Sequence, residues 1–172
     1  GSLRPMKRPI DAIRAFEIAR DKRPQLRMVI AGSSSGRYAE KVLDYIKNSK
    51  HSDAIDFKGR VSNKQKTKLL DDATVILVTS VKEGWGLIVT EANNQGTPAI
   101  VYDTDGLRDS VVHGETGLIV KSGDIKKMGN NLVQLIDDYE LYERLSKSAF
   151  EHSKQFTFQN SYQDFIRLTG LK

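Results

Sequence analysis

Glu83 and Glu91 bracket a glycine turn in the stretch Glu83-Gly84-Trp85-Gly86-Leu87-Ile88-Val89-Thr90-Glu91, between an apolar run and an amphipathic segment. Glycines let a backbone come close to a ligand, and the unpaired N–H groups of a helix start attract an anion. If a helix begins near Gly86, Glu91 lies five residues in, about 7.5 Å along the axis at about 1.5 Å per residue, while Glu83 stays in the loop. Phosphates resting on the turn and a ribose diol donating to the Glu91 carboxylate would engage one nucleotide-linked ligand, with Glu83 facing its other end. The plainer alternative is that both acids only favour the positive end of a helix dipole and point to water, with Trp85 in the core.

Other patterns are weaker. Gly32-Ser33-Ser34-Ser35-Gly36 lacks the GxGxxG spacing, and no Lys-Ser or Lys-Thr follows it, so dehydrogenase and NTPase chemistry lose ground. Asp103-Thr104-Asp105 could hold a divalent ion, but a solvated turn explains it better. There is no cysteine, and His51, His113 and His152 have no ligand-like spacing, so no metal site is expected. Lys plus Arg number 27 against 22 Asp plus Glu, a formal +5 that mildly favours anionic ligands. The basic residues are scattered, from Lys7 and Arg8 through Lys64, Lys66 and Lys68 to Lys126 and Lys127, without aromatic stacking positions between them, so nucleic acid is not an expected partner.

The elements that must position these residues follow from periodicity. Short apolar runs at Leu26 to Ala31, Ala54 to Phe57, Thr74 to Val78, Ala99 to Tyr102 and Leu118 to Val120 read as strands. Amphipathic segments at Pro9 to Arg20, Tyr38 to Asn48, Lys64 to Asp71, Leu87 to Gln95 and Ile125 to Asp137 read as helices, and Glu140 to Lys154 and Gln159 to Leu168 close the chain. That alternation implies an α/β fold: a single Rossmann-like doubly wound parallel sheet flanked by helices, in which loops after strands carry function. At 172 residues and 38% hydrophobic, residues 1–172 fit one domain with a helical tail over 140–172. No apolar run approaches the roughly 18 residues needed to cross a bilayer. Gly1 and Ser2 have the form of a vector remnant.

Residues 79–92 (TSVKEGWGLIVTEA), continued by Gly96-Thr97-Pro98-Ala99-Ile100-Val101, resemble the signature of retaining glycosyltransferases of the GT-B fold, especially glycosyltransferase family four, also described as glycosyl transferases group 1. Residues 106–111 (GLRDSV) and 113–120 (HGETGLIV) look like the next family blocks, and Val29-Ile30-Ala31-Gly32 and Phe57-Lys58-Gly59-Arg60-Val61 fit upstream. The resemblance covers essentially the whole chain and is to the C-terminal, donor-binding half, so the acceptor domain would lie outside this sequence.

The resemblance implies transfer of a hexose-like unit from a UDP- or GDP-linked sugar, with retained configuration, to an acceptor glycan, lipid or small molecule held by the N-terminal domain. It implies no metal and no other cofactor. Glu91 would hold the ribose hydroxyls; Gly84, Trp85, Gly86 and Leu87 would lie along the diphosphate and sugar. Glu83 would approach the sugar, and Lys7 would neutralise charge growing on the leaving diphosphate. Gly32, Arg60 and Val61 would approach the base. Ser2 stands where the family places an arginine, a role that Arg4 would partly take over; Asp105 and Asp109 also depart from the pattern. A cytoplasmic enzyme, with room for peripheral association at the inner membrane face, follows by analogy, and the isolated domain would be inactive. Ser2 keeps open a second reading, a non-catalytic nucleotide or nucleotide-sugar binding module.

Overall fold

The computed structural model describes residues 1–170, along which five strands alternate with eight α-helices. The strands are β1 (Met28–Ala31), β2 (Ile55–Gly59), β3 (Ile76–Val78), β4 (Ala99–Tyr102) and β5 (Gly117–Val120). The helices are α1 (Pro9–Lys22), α2 (Arg37–Asn48), α3 (Asn63–Asp71), α4 (Leu87–Asn93), α5 (Leu107–Ser110), α6 (Ile125–Asp137), α7 (Tyr139–Ser153) and α8 (Phe158–Thr169). Every strand and helix expected from periodicity is present. The one-turn α5 and the 3-10 turns Pro5–Lys7 and Ser52–Ala54 are additional, too short to show a period.

All strand pairs are parallel, as one Rossmann-like half of a GT-B fold requires. The strands form two ladders, β1 with β2 and β3-β4-β5, with no pairing between β1 and β3. Every β4 residue is buried, which fits a centre strand covered on both faces. One helix joins the ladders: Ala15 and Ala19 of α1 pack with Ile100, Tyr102 and Met128, while Ile13 and Phe16 pack with Val42, Ile46 and Ile55. Burying Ile13 and Phe16 contributes roughly 1.5–3 kcal/mol each. Pro9 starts α1 where its missing N–H costs nothing. Ser62 and Gln65 form a reciprocal capping box at the start of α3, which fixes the direction in which that helix leaves β2.

Under this core, the buried Tyr102 hydroxyl donates to Asp11 Oδ2 at 2.9 Å, and Arg8 Nε lies 2.8 Å from the same oxygen. Burial first, and then the Asp11 hydrogen bond, push the Tyr102 phenol above its ordinary 10.0. The folded state therefore favours the neutral phenol. Its contribution is complete below about pH 10 and is lost as pH rises toward the folded-state value, at about 1.4 kcal/mol per pH unit. Thermal unfolding between pH 8 and pH 12 is expected to show a falling midpoint that is less steep in Tyr102→Phe; equal slopes would remove Tyr102 as the cause.

In α8, Tyr162 and Phe165 are exposed and Ile166 is half-buried, so much of the apolar face expected there is turned to solvent. The Phe158 side chain lies outside the described ones.

Candidate functional site

The loop after β3 folds back on itself because its acid is held at its base. Ser80 donates to Glu83 Oε1 at 2.7 Å, and Lys7 Nζ makes an ion pair with the same oxygen. Glu83 is only 14% exposed, so this pairing is shielded more than a surface ion pair. Lys7 is itself fixed by its backbone: the Thr79 hydroxyl donates to the Lys7 carbonyl at 2.8 Å and the Arg8 carbonyl at 2.9 Å, and Val81 N–H donates to the Met6 carbonyl at 2.9 Å. Arg8, at φ 44°, is the only non-glycine residue with positive φ among those described. Thr79 braces this bend between the 3-10 turn and α1 and keeps Lys7 over the end of β3.

Gly84 and Trp85 continue the turn. The indole is tied back onto the protein: Trp85 Nε1–H donates to Thr90 Oγ1 at 3.0 Å, and the ring meets Phe156 edge-on with centroids 5.1 Å apart. Trp85 thus anchors the turn to the segment between α7 and α8. Gly86 precedes α4, where its carbonyl accepts from Val89 N–H at 2.7 Å. Leu87, 70% exposed, leaves the start of this helix open.

Five residues beyond Gly86, on α4, Glu91 does not point freely into water. Lys66 Nζ lies 2.7 Å from each of its carboxylate oxygens. Lys66 stands in the first turns of α3, aimed by the Ser62 cap, so α3 and α4 together place this second ion pair. The sequence reading missed Lys66, one among many scattered lysines, and Ser80; the available signal for Ser80 was its place three residues before Glu83. The Gly1 amine, which donates to the Ala31 carbonyl at 2.9 Å, lies within the fields of both pairs. Desolvation first lowers its pKa, then the like charges of Lys7 and Lys66, against the opposing pull of Glu91 and Glu83. The four charged groups therefore surround one end of the sheet.

The remaining candidates occupy the same edge with less engagement. Gly32 ends β1 against the Gly1 backbone, Arg60 is exposed and Val61 half-buried after β2, and Arg4 is exposed before the 3-10 turn. Asp103 and Asp105 are both held by Arg108, with Nη1 3.1 Å from Asp103 and Nη2 paired to Asp105. That guanidinium occupies the carboxylates, and no group of three or more potential metal ligands occurs among the described residues. Two surface depressions elsewhere, one around Glu17, Lys41 and Tyr45 and the other around Glu143, Arg144 and Phe150, contain none of the site residues.

The family model for glycosyl transferases group 1 matches residues 1–152. The chain belongs to this family. A D-inositol 3-phosphate glycosyltransferase of Stackebrandtia nassauensis is 28% identical across 99% of the chain, which spans 40% of that relative. Two solved structures share the fold of this glycosyl transferases group 1 chain. Anabaena HepE in complex with UDP superposes with a TM-score of 0.88 at 20% identity, over 99% of this chain and 47% of that one. The C-terminal domain of a glycosyl transferase group 1 family protein (LpcC) from Francisella tularensis superposes with a TM-score of 0.82 at 20% identity, over 91% of this chain and 82% of that one.

Proposed function

We propose that this chain is the C-terminal, donor-binding half of a retaining hexosyltransferase of glycosyltransferase family four. One observation carries the reading: the turn 84–86 is flanked on each side by a carboxylate that already holds a lysine, Glu83 with Lys7 and Glu91 with Lys66. A nucleoside diphosphate sugar carries the complementary groups. The diphosphate draws Lys7 and Lys66 away from their carboxylates and takes N–H donors from the turn. Glu91 then accepts from the ribose diol, and Glu83, steadied by Ser80, faces the sugar. As the bond from the anomeric carbon to the phosphate oxygen breaks, negative charge grows on the departing diphosphate, and Lys7 offsets it. The acceptor hydroxyl bonds to the same face of that carbon and its proton leaves with the diphosphate.

Anabaena HepE, of the same fold, has been solved with UDP, which favours a uridine donor here; a GDP-linked donor is the other option. The acceptor, a glycan, lipid or small molecule, belongs to a separate N-terminal domain, and α7 and α8 are the helical tail of the donor domain. The isolated domain is inactive for want of that acceptor half. The enzyme works in the cytoplasm, with its acceptor at the inner membrane face where that acceptor is a lipid. Among the described residues no helix is long and apolar enough to cross a membrane. Ser2, where the resemblance places an arginine, favours a second reading, a binding module without transfer.

Calorimetric titration of UDP into the chain and into Glu91→Ala tests the site. Loss of two hydrogen bonds to a charged acceptor is expected to weaken binding about 10-fold or more. Equal affinity would remove Glu91 from the ribose. Product formation by the full-length protein separates transferase from binding module.

A further inference from the structure

Each acid beside the turn holds a lysine, but the two pairs are not built alike. Glu83 keeps a second partner, the Ser80 hydroxyl at 2.7 Å, and stays satisfied when Lys7 leaves. Among the described residues Glu91 and Lys66 have no hydrogen-bond or ion-pair partner besides each other. Lys66 Nζ is 2.7 Å from Oε1 and 2.7 Å from Oε2, so the ammonium sits in the notch between the two carboxylate oxygens. A vicinal diol that donates one O–H to each oxygen needs that same notch. Lys66 and a ribose therefore compete for one place.

The helix that carries Lys66 is not free to make room. At its start α3 is fixed by the Ser62 and Gln65 capping box, and Lys66 N–H donates to the Ser62 carbonyl at 2.8 Å. Near its end the Thr97 hydroxyl donates to the Leu70 carbonyl at 2.6 Å. What can move is the side chain, a flexible four-carbon stem ending in a point charge. The pair opens readily: its side chains are 35% and 41% exposed, and exposed ion pairs contribute little. Once displaced, the ammonium has no second described carboxylate to pair with. Its remaining anionic partner is a ligand phosphate at the turn, about one and a half helical turns back along α4.

We propose that Lys66 is a specificity-determining residue that makes recognition of a nucleoside conditional on its phosphates. The proposal rests on the donor-site reading above and adds a selection to it. A free nucleoside brings the diol without a phosphate; it opens the Lys66–Glu91 pair and leaves the ammonium unpaired. A nucleoside diphosphate, alone or sugar-linked, opens the same pair and supplies a new partner. Lys66 thus acts with opposite sign on two ligands that share base and ribose. A lysine that only supported the fold would move both affinities the same way.

The test is titration of uridine and UDP, and of guanosine and GDP, into the chain and into Lys66→Met, with circular dichroism to confirm folding. In the variant, affinity for the diphosphate that binds is expected to fall about 10-fold or more, the effect of one lost charge-assisted hydrogen bond. Affinity for its nucleoside is expected to rise about 2–5-fold, the effect of removing an exposed ion pair that must otherwise be opened. Lys66→Arg, whose planar fork fits a carboxylate better, is expected to bind the nucleoside more weakly than wild type. Should Lys66→Met fail to fold, raising the salt concentration on the wild-type chain gives the same pattern, nucleoside stronger and diphosphate weaker. Nucleoside affinity that does not rise, or nucleoside and diphosphate affinities that move together, overturns the role of Lys66 and leaves the donor site standing. If neither diphosphate binds the wild-type chain, or if Glu91→Ala binds it equally well, the donor reading and this proposal fail together.

Discussion

Replacing Lys7 with alanine is expected to lower turnover of the full-length protein by roughly 10²–10³-fold, the usual cost of removing one preorganised group that meets developing charge. Lys7 qualifies because its position is settled before any ligand arrives: Thr79 holds the carbonyls of Lys7 and Arg8, and Val81 holds that of Met6. Without Lys7, Glu83 keeps the Ser80 hydroxyl as a partner at 2.7 Å, so the loop should retain its shape. The measurement is release of nucleoside diphosphate at saturating donor, with circular dichroism to confirm folding. Turnover is expected to fall much more than donor affinity, since the charge grows in the transition state. Wild-type turnover in a folded Lys7→Ala protein would take Lys7 out of the chemistry.

Gly106→Ala is the second large effect, and it acts through the backbone. A Cβ at Gly106 would lie 2.5 Å from the Glu83 carbonyl oxygen and 2.8 Å from the Gly84 carbonyl carbon, with φ at +74°. Neither neighbour is a flexible side-chain end, so the loop after β4 or the loop after β3 must move. Left-handed strain and overpacking together are expected to cost about 3 kcal/mol, lowering the midpoint by roughly 10 °C. Nucleotide binding should fall too, because the displaced backbone is that of the turn. Gly36→Ala is the matched control: φ is +88° but nothing lies within 4 Å of the added Cβ, leaving strain alone. If both variants lose the same stability, the close approach of the two loops is not what Gly106 provides.

Much of the fold was readable because it follows local rules. β4 and α6 begin and end where periodicity put them, at Ala99–Tyr102 and Ile125–Asp137. The helix expected over 87–95 stops at Asn93, because Gln95 and Thr97 N–H both return to the Ala92 carbonyl and close the chain into the turn before β4. The split between ladders had no sequence signal. Leu26 to Ala31 is equally apolar whether its outer edge is paired or open.

The same division runs through the site. The sequence by itself determined the glycine turn after β3, the acids that bracket it and the helix that carries Glu91 five residues beyond Gly86, because these depend on spacing along one continuous segment. Only the tertiary structure decided which charges those acids meet. Lys7 precedes Glu83 by 76 positions and Lys66 precedes Glu91 by 25, and both pairs arise because the turn before α1, the helix after β2 and the loop and helix after β3 meet at one edge of the sheet. The direction of Trp85 was settled in the same way: a lone aromatic beside glycines suits a ligand or a core equally, and the arrival of Phe156 from the far end of the chain turned it inward.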